Sequence, residues 1–261
     1  MMSVANNNNT VSSPSFEDLF KQPPPLEDCP ICFLRLPRLY TGRRYKSCCG
    51  KDICSGCIHA PVYDNNGNKL EKKCPFCRSL TPFSHEEVVD KLKKRIEVGD
   101  ARAMYNLGGY YSDGIGGFPQ DRAKALELWH RAAELGYVHS YYNIGFAYHN
   151  GRAVARDETK ATHYWELAAI GGNAEARYNI GSTEVQALAG NMDRALKHFM
   201  IAVEGGYNES LKTFQRMYSN GYATRDDYAN ALRAYQAYLE EIKSDQRDKA
   251  AAFDDMYKYY E

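Results

Sequence analysis

The sequence predicts a mainly α-helical protein in two parts: a small cysteine-rich module that folds around metal, then an α-solenoid of helix pairs. Three observations carry that prediction. All eight cysteines fall between Cys29 and Cys77, and the following 184 residues hold none. From residue 100 onward one phrase recurs, at steps of 37, 36 and 34 residues. Between the two parts, residues 84–99 have the cap and periodicity of a single helix.

Composition narrows the functional classes. The chain has 261 residues, with 33 basic and 33 acidic side chains, so charge balance gives no support to sequence-independent nucleic-acid binding. The start, "MMSVANNNNT", lacks a basic region and an apolar run, and no stretch of 18 or more apolar residues occurs. A cytoplasmic or nuclear protein with no membrane span is expected. In a reducing compartment a dense cysteine cluster reads as a metal site before a disulfide set.

Taken in order, residues 1–25 are rich in Asn, Ser and Pro, and a disordered tail is expected there. Residues 26–83 hold the cysteines in four groups: Cys29 with Cys32, the doublet Cys48 and Cys49, Cys54 with Cys57, and Cys74 with Cys77. A Cys-x-x-Cys turn aims two sulfurs at one point. Four thiolates at about 2.3 Å close a tetrahedral zinc site with no open position for catalysis, so eight sulfurs make two zinc sites. Spacing alone leaves two topologies, sequential or interleaved. The insert "YDNNGNKLEKK" between the third and fourth groups reads as a loop.

Residues 84–99 form a connecting helix. Ser84 with Glu87 three residues on is a capping box, and Val88, Val89, Leu92 and Ile96 follow at helical spacing.

Residues 100–245 hold the repeats: "AMYNLG" at 103, "SYYNIG" at 140, "ARYNIG" at 176 and a degraded "SLKTFQ" at 210. A second ladder runs through "KALELW", "KATHYW", "RALKHF" and "NALRAY". Each unit reads as two helices and a turn. Asp121, Asp157, Asn191 and Asp227 stand four residues before Ala125, Ala161, Ala195 and Ala231, where a side-chain oxygen caps the second helix. Gly108, Gly145 and Gly181 lie inside first helices, where glycine costs about 1 kcal/mol against alanine. Their recurrence points to close packing against an aromatic partner, with Trp129, Trp165, Phe199 and Tyr235 as candidates in the core. Gly136, Gly172 and Gly206 end second helices, but the fourth unit has Ile242 at that position. That unit and a C-terminal helix over 246–261 are expected to cap the stack.

Residues 103–136, echoed at 140–172 and 176–206, resemble Sel1-like repeats, relatives of tetratricopeptide repeats. The resemblance implies a solenoid whose concave face holds protein partners, in adaptors more often than enzymes. "CPIC", "CCGKDICSGC" and "CPFCR" resemble a RING finger over residues 27–82. That resemblance implies a cross-brace, in which Cys29, Cys32, Cys54 and Cys57 hold the first zinc and Cys48, Cys49, Cys74 and Cys77 the second. The usual family histidine is replaced by Lys51, whose ammonium has no lone pair to give. All-cysteine variants of the family use a cysteine before the glycine instead, which makes Cys48 and Cys49 both ligands and lets Gly50 take the unusual backbone angles. Asp52 or His59 is the alternative completion.

The RING resemblance further implies a ubiquitin-protein ligase that docks a ubiquitin-conjugating enzyme charged with ubiquitin, while the repeats receive a substrate. The matching docking positions are Ile31, Pro75, Phe76 and Arg78, the last as a linchpin to both enzyme and ubiquitin. Pro61 falls where the family usually continues a short helix carrying another docking residue, a departure from the pattern. The competing expectation is a zinc-stabilised interaction scaffold without transferase activity.

Overall fold

The protein is described here by a computed structural model, covering residues 15–21, 23–24, 27–37, 42–60, 73–187 and 190–260. It is mostly helical, with a small two-stranded region in the cysteine-rich part. Residues 63–72 of the insert, Pro61 and most of the N-terminal tail lie outside the described residues.

In the module, β1 (Arg43–Lys46) and β2 (Lys51–Cys54) pair antiparallel with Lys46 opposite Lys51, so Ser47–Gly50 is the hairpin turn. The cysteine doublet therefore sits at the tip. Gly50 has φ 70°, the left-handed conformation expected of it, and a Cβ there would overlap the Arg95 guanidinium. A short helix, α2 (Ser55–His59), follows β2 directly, its first turn capped by the Cys54 sulfur, which accepts from the Cys57 amide at 3.4 Å.

Helix α3 (His85–Glu97) begins as the capping rule predicts, with the Ser84 hydroxyl accepting from the Glu87 amide at 3.2 Å. The reciprocal bond differs: the Glu87 carboxylate takes the Phe83 amide, one residue further back, at 3.1 Å. Val89 and Leu92 are buried against the next helix, α4 (Ala101–Asp113).

Four helix pairs follow. They are α4 with α5 (Arg122–Glu134), α6 (His139–Asn150) with α7 (Glu158–Ile170), α8 (Ala174–Gln186) with α9 (Met192–Glu204), and α10 (Asn208–Ser219) with α11 (Arg225–Ile242). Asp121, Asp157 and Asn191 cap α5, α7 and α9 by accepting the amide three residues on. Asp227 does not play that part. Thr224 is the cap of α11 and Asp227 is its reciprocal partner in a capping box, so the fourth unit's second helix starts three residues earlier than its sisters' and runs 18 residues. The alanine ladder has no solvent exposure at any of its four rungs.

The internal glycines meet the aromatics foreseen for them. A Cβ on Gly108 would lie 2.5 Å from Trp129, one on Gly145 2.6 Å from Trp165, and one on Gly181 2.8 Å from Phe199. Second helices of the first three units close with a left-handed residue. Tyr137, Asn173 and Tyr207 donate back to Ala132, Ala168 and Ala202, the six-to-one bond of a Schellman stop. The fourth unit lacks that residue, and the chain turns instead through extended Lys243 into α12 (Asp245–Phe253), capped by Ser244.

Two results depart from the expected organisation. Helix α12 does not present a free polar face: it packs on α2 of the cysteine module, because Gly56 offers no side chain and the Arg247–Gln246 backbone fits over it. Nor does the disordered tail extend to residue 25 throughout. Ser15 caps a single turn, α1 (Phe16–Leu19), which rests on α7 with Leu19 buried. Among the described residues no helix is long and apolar enough to cross a membrane.

Candidate metal centre

The eight thiols gather in two foursomes, and their membership is interleaved. Cys29, Cys32, Cys54 and Cys57 form one group, and Cys48, Cys49, Cys74 and Cys77 the other; within each, all sulfurs lie within 4.8 Å of one another. The fold brings them together through repeated local geometry. In the first knuckle the Cys29 amide donates to the Leu34 carbonyl and the Phe33 amide to that of Cys29. The last knuckle repeats this with Cys74, Ser79 and Arg78. Phe33 and Arg78, at matching places, are both left-handed, with φ of 57° and 62°. A non-glycine residue in that region costs about 1–2 kcal/mol. Its use twice at the same offset is a property of the turn that points paired sulfurs inward.

The donor sets fit a tetrahedral ion. Four sulfurs at about 2.3 Å from one centre stand about 3.8 Å apart. Pairs near that spacing are Cys32 with Cys54 at 3.8 Å, Cys49 with Cys74 at 3.9 Å, and Cys48 with Cys77 at 3.4 Å. None is a disulfide. Asp52 and His59 join neither group: Asp52 is buried in an ion pair with Arg102, and His59 stacks on Phe253 at 4.9 Å.

Electrostatics call for a cation. Burial, then the neighbouring sulfurs, pushes the Cys48 thiol well up; burial lifts Cys49 to about 11 and Cys57 to about 12. In the other direction, a hydrogen bond from Cys54 holds Cys29 at about 4 while raising Cys54 itself. Burial alone would raise Cys77, but hydrogen bonding with the Ser79 side chain and backbone brings it to about 6. The raised thiols retain protons unless a divalent ion replaces them, and binding then releases those protons.

Lys51 is exposed, and its contribution is its backbone amide, which bonds the Cys49 sulfur. The ammonium beside the second foursome is that of Lys46. Burial lowers its pKa, against the raising influence of Cys74, Cys48 and Cys49. The sequence did hold a signal for it: Lys46 is the last residue of β1 and faces Lys51 across the turn.

Of the docking candidates, Ile31 is half-buried against the first sulfur cluster and Pro75 is half-buried, whereas Phe76 is 43% exposed and Arg78 is exposed. Next to them Phe33 and Leu80 are also exposed. The module is clamped from both sides. At α3 and α4, Tyr45 donates to Asp100 at 2.7 Å and Arg95 pairs with Asp100 at 2.9 Å. From the C-terminus, Tyr259 fills the space beside Gly42, Arg44 donates to the Met256 carbonyl at 3.2 Å, and Arg35 pairs with Glu241 at 3.1 Å. Between the hairpin and the first two units opens a cleft of about 730 Å³ lined by Lys46, Cys48, Tyr105, Asn106, Tyr142 and Asn143.

The family model of the Sel1 repeat matches residues 101–137 and 138–173. The chain is similar over 73 residues, at 41% identity, to the E3 ubiquitin-protein ligase DA2 of Arabidopsis thaliana, a match covering 28% of this chain and only 17% of that protein. Among solved structures it is similar to a Sel1 repeat protein from Oxalobacter formigenes, with TM-score 0.55 and 23% identity over 62% of this chain and 67% of that one. It is also similar to c5321, a protective antigen of uropathogenic Escherichia coli with an SLR fold. There the TM-score is 0.50 and the identity 27%, over 63% of this chain and 36% of that one. Residues 101–173 thus carry two Sel1 repeats.

Proposed function

We propose that the cysteine module is a RING-type finger holding two zinc ions, and that the protein is a ubiquitin-protein ligase whose repeats receive the substrate. The observation that carries this reading is the interleaving of the two sulfur foursomes, since a cross-brace, and not a tandem ribbon, pairs the first knuckle with the third and the second with the fourth. The similarity of 73 residues to a plant E3 ligase supports it. Cys29, Cys32, Cys54 and Cys57 would hold one ion, and Cys48, Cys49, Cys74 and Cys77 the other. Zinc in such a closed site supplies folding free energy and no open coordination position.

The remaining work falls to side chains of this chain. Catalysis by such a module is positioning of a charged conjugating enzyme, not covalent chemistry. Phe76, with Ile31 and Pro75 at the knuckle tips, presents apolar surface to that enzyme. Arg78, exposed beside it on a strained turn, aims a planar fork able to bridge two acceptors.

The test uses full-length, zinc-loaded protein in an autoubiquitination assay against a panel of conjugating enzymes. Conjugates are expected with at least one enzyme, and Arg78→Ala is expected to slow their formation tenfold or more with zinc content unchanged. Silence across the panel overturns the ligase reading.

A second reading, a zinc-stabilised scaffold without transferase activity, is favoured by one feature. Helix α2 lies beneath α12 of the same chain, with Ser55, Gly56 and Cys57 buried, so a surface next to the knuckles is already taken.

A further inference from the structure

Two buried positions of the third repeat unit carry charged or ionisable residues unlike those of the first two. Arg177 stands where the first two units have Met104 and Tyr141, and His198 where they have Leu128 and Tyr164. Both are sealed from solvent, at 1% and 0% exposure. Arg177 donates from Nη1 to the carbonyl oxygen of Leu19. Its Nε and Nη2, and both ring nitrogens of His198, have no hydrogen-bond partner among the described residues. A guanidinium buried without a carboxylate is costly, and here two of its three nitrogens are left without a hydrogen bond among the described residues.

What seals these groups is the chain's own Ser15–Lys21. Leu19 is 3% exposed, the Phe20 ring lies 4.8 Å from that of His198, and Lys197 stands over Phe20 at 5.8 Å. A helix of four residues does not persist alone in water, so α1 is formed on this surface and is held there by it. Charge is complementary. The segment carries Glu17 and Asp18, and the face carries Arg177, Lys197 and Arg194, the last also paired with Glu184 at 2.8 Å. Yet neither acidic group of the segment satisfies the idle Arg177 donors: Asp18 is committed to Ser15 and Lys21, and Glu17 is exposed.

We propose that this face, formed by α7, α8 and α9, is a docking site for a short acidic protein segment that ends in a leucine followed by an aromatic residue. The chain's own Glu17–Phe20 occupies it until a partner segment of the same chemistry displaces it. A partner whose carboxylate reaches Arg177 Nε and Nη2 gains a charge-assisted pair that the resident segment leaves unmade. This rests on the reading of the repeats as a partner receptor and is independent of whether the module transfers ubiquitin.

The experiment measures fluorescence anisotropy of a labelled peptide, Ser15–Lys21 with blocked ends, against two full-length, zinc-loaded proteins: the native chain and the double variant Leu19→Ser, Phe20→Ser. A tethered segment competes at an effective concentration on the order of 1 mM. A peptide that binds at about 0.1 mM is therefore expected to bind the variant about tenfold more tightly than the native chain. Adding Arg177→Met to the variant is expected to weaken the peptide tenfold or more while zinc content and helicity stay as they were. Equal affinity for native chain and variant, or no binding to a variant whose circular dichroism matches the native chain, overturns the proposal. Should the double variant lose helicity, amide exchange of the native chain decides. Millimolar free peptide must accelerate exchange at residues 15–21, and unchanged exchange rejects the site. A failed ubiquitination assay would leave each of these outcomes where it stands.

Discussion

Replacing neighbouring glycines in one helix separates helix propensity from packing. Gly108 and Gly109 both lie in the middle of α4, so an alanine at either gains about 1 kcal/mol of helix propensity. Their surroundings differ completely. A Cβ on Gly109 meets nothing within 4 Å, whereas one on Gly108 would sit 2.5 Å from Nε1 and 2.8 Å from Cδ1 of Trp129. Contact begins at about 3.5 Å, so the indole must retreat by roughly 1 Å. That ring is buried and donates from Nε1 to the Tyr105 carbonyl at 3.2 Å, a bond the retreat breaks at about 1 kcal/mol. Overpacking a filled core adds about 1–3 kcal/mol. Gly109→Ala should therefore stabilise the zinc-loaded chain by up to about 1 kcal/mol, and Gly108→Ala should destabilise it by about 1–3 kcal/mol after the propensity gain is set against the losses. Urea midpoints at fixed slope measure both. If the two variants agree to within about 0.5 kcal/mol, less than the weakest packing penalty expected, the glycine–aromatic contact is not what holds the helix pairs together.

Fresh, reduced protein should contain two zinc ions per chain by elemental analysis; Cys49→Ser should leave one and Lys51→Ala two, and a single ion in the native chain would refute the paired foursomes. The imidazole of His198 is driven down to about 3 by burial, then by the charges of Arg177 and Arg194. Since its folded value lies below the unfolded one near 6.5, the unfolded chain binds the extra proton, and stability falls as pH drops below about 6.5. At pH 5 that loss is about 2 kcal/mol, and His198→Phe should remove it. A stability difference between the two proteins that is constant from pH 7.5 to 5 would contradict this. Tyr259 is fully buried beside Gly42, where truncation of a large aromatic costs about 3 kcal/mol. Tyr259→Ala should also speed zinc release to a chelator, and an unaltered rate would mean the C-terminus does not brace the module.

Repetition made most of the solenoid legible. One chain supplies three or four trials of each position, so a cap, a left-handed stop or a glycine that recurs is visible without any other sequence. The failures come where a copy differs. Asp227 matches the capping residues by offset, but Thr224 offers a better cap three residues earlier and the helix takes it. The same reasoning explains why nothing in the sequence marks Arg177, and why His198 reads there as a packing or surface histidine: each is an ordinary polar residue until set against Met104 and Leu128 in a sister unit. The sulfur foursomes are different again. Knuckle spacing names the eight donors but leaves their pairing open, because pairing is a long-range property set by where the β1–β2 turn lies relative to the last knuckle. Resemblance implies an interleaved order, and in the structure the sulfurs gather in two interleaved foursomes.

The contact least accessible to any local rule is the one that closes the chain on itself. Each repeat buries its faces against neighbours, which leaves the two ends of a solenoid uncovered. Here α3 and the hairpin tip cover one end, through Tyr45, Arg95 and Asp100, and α12 leaves the other end to lie on α2. Arg247 is buried in that junction and donates both to the Ile242 carbonyl at the end of α11 and to the Leu34 carbonyl of the first knuckle, the latter at 3.4 Å. A single guanidinium thereby ties the last repeat to the metal module. Both ends of the solenoid rest on the same short module, so the knuckle tips and the repeat surfaces keep a fixed relation that a flexible linker would not give. For the proposed ligase, such a relation would present a partner bound on α7–α9 at a set distance from Phe76 and Arg78.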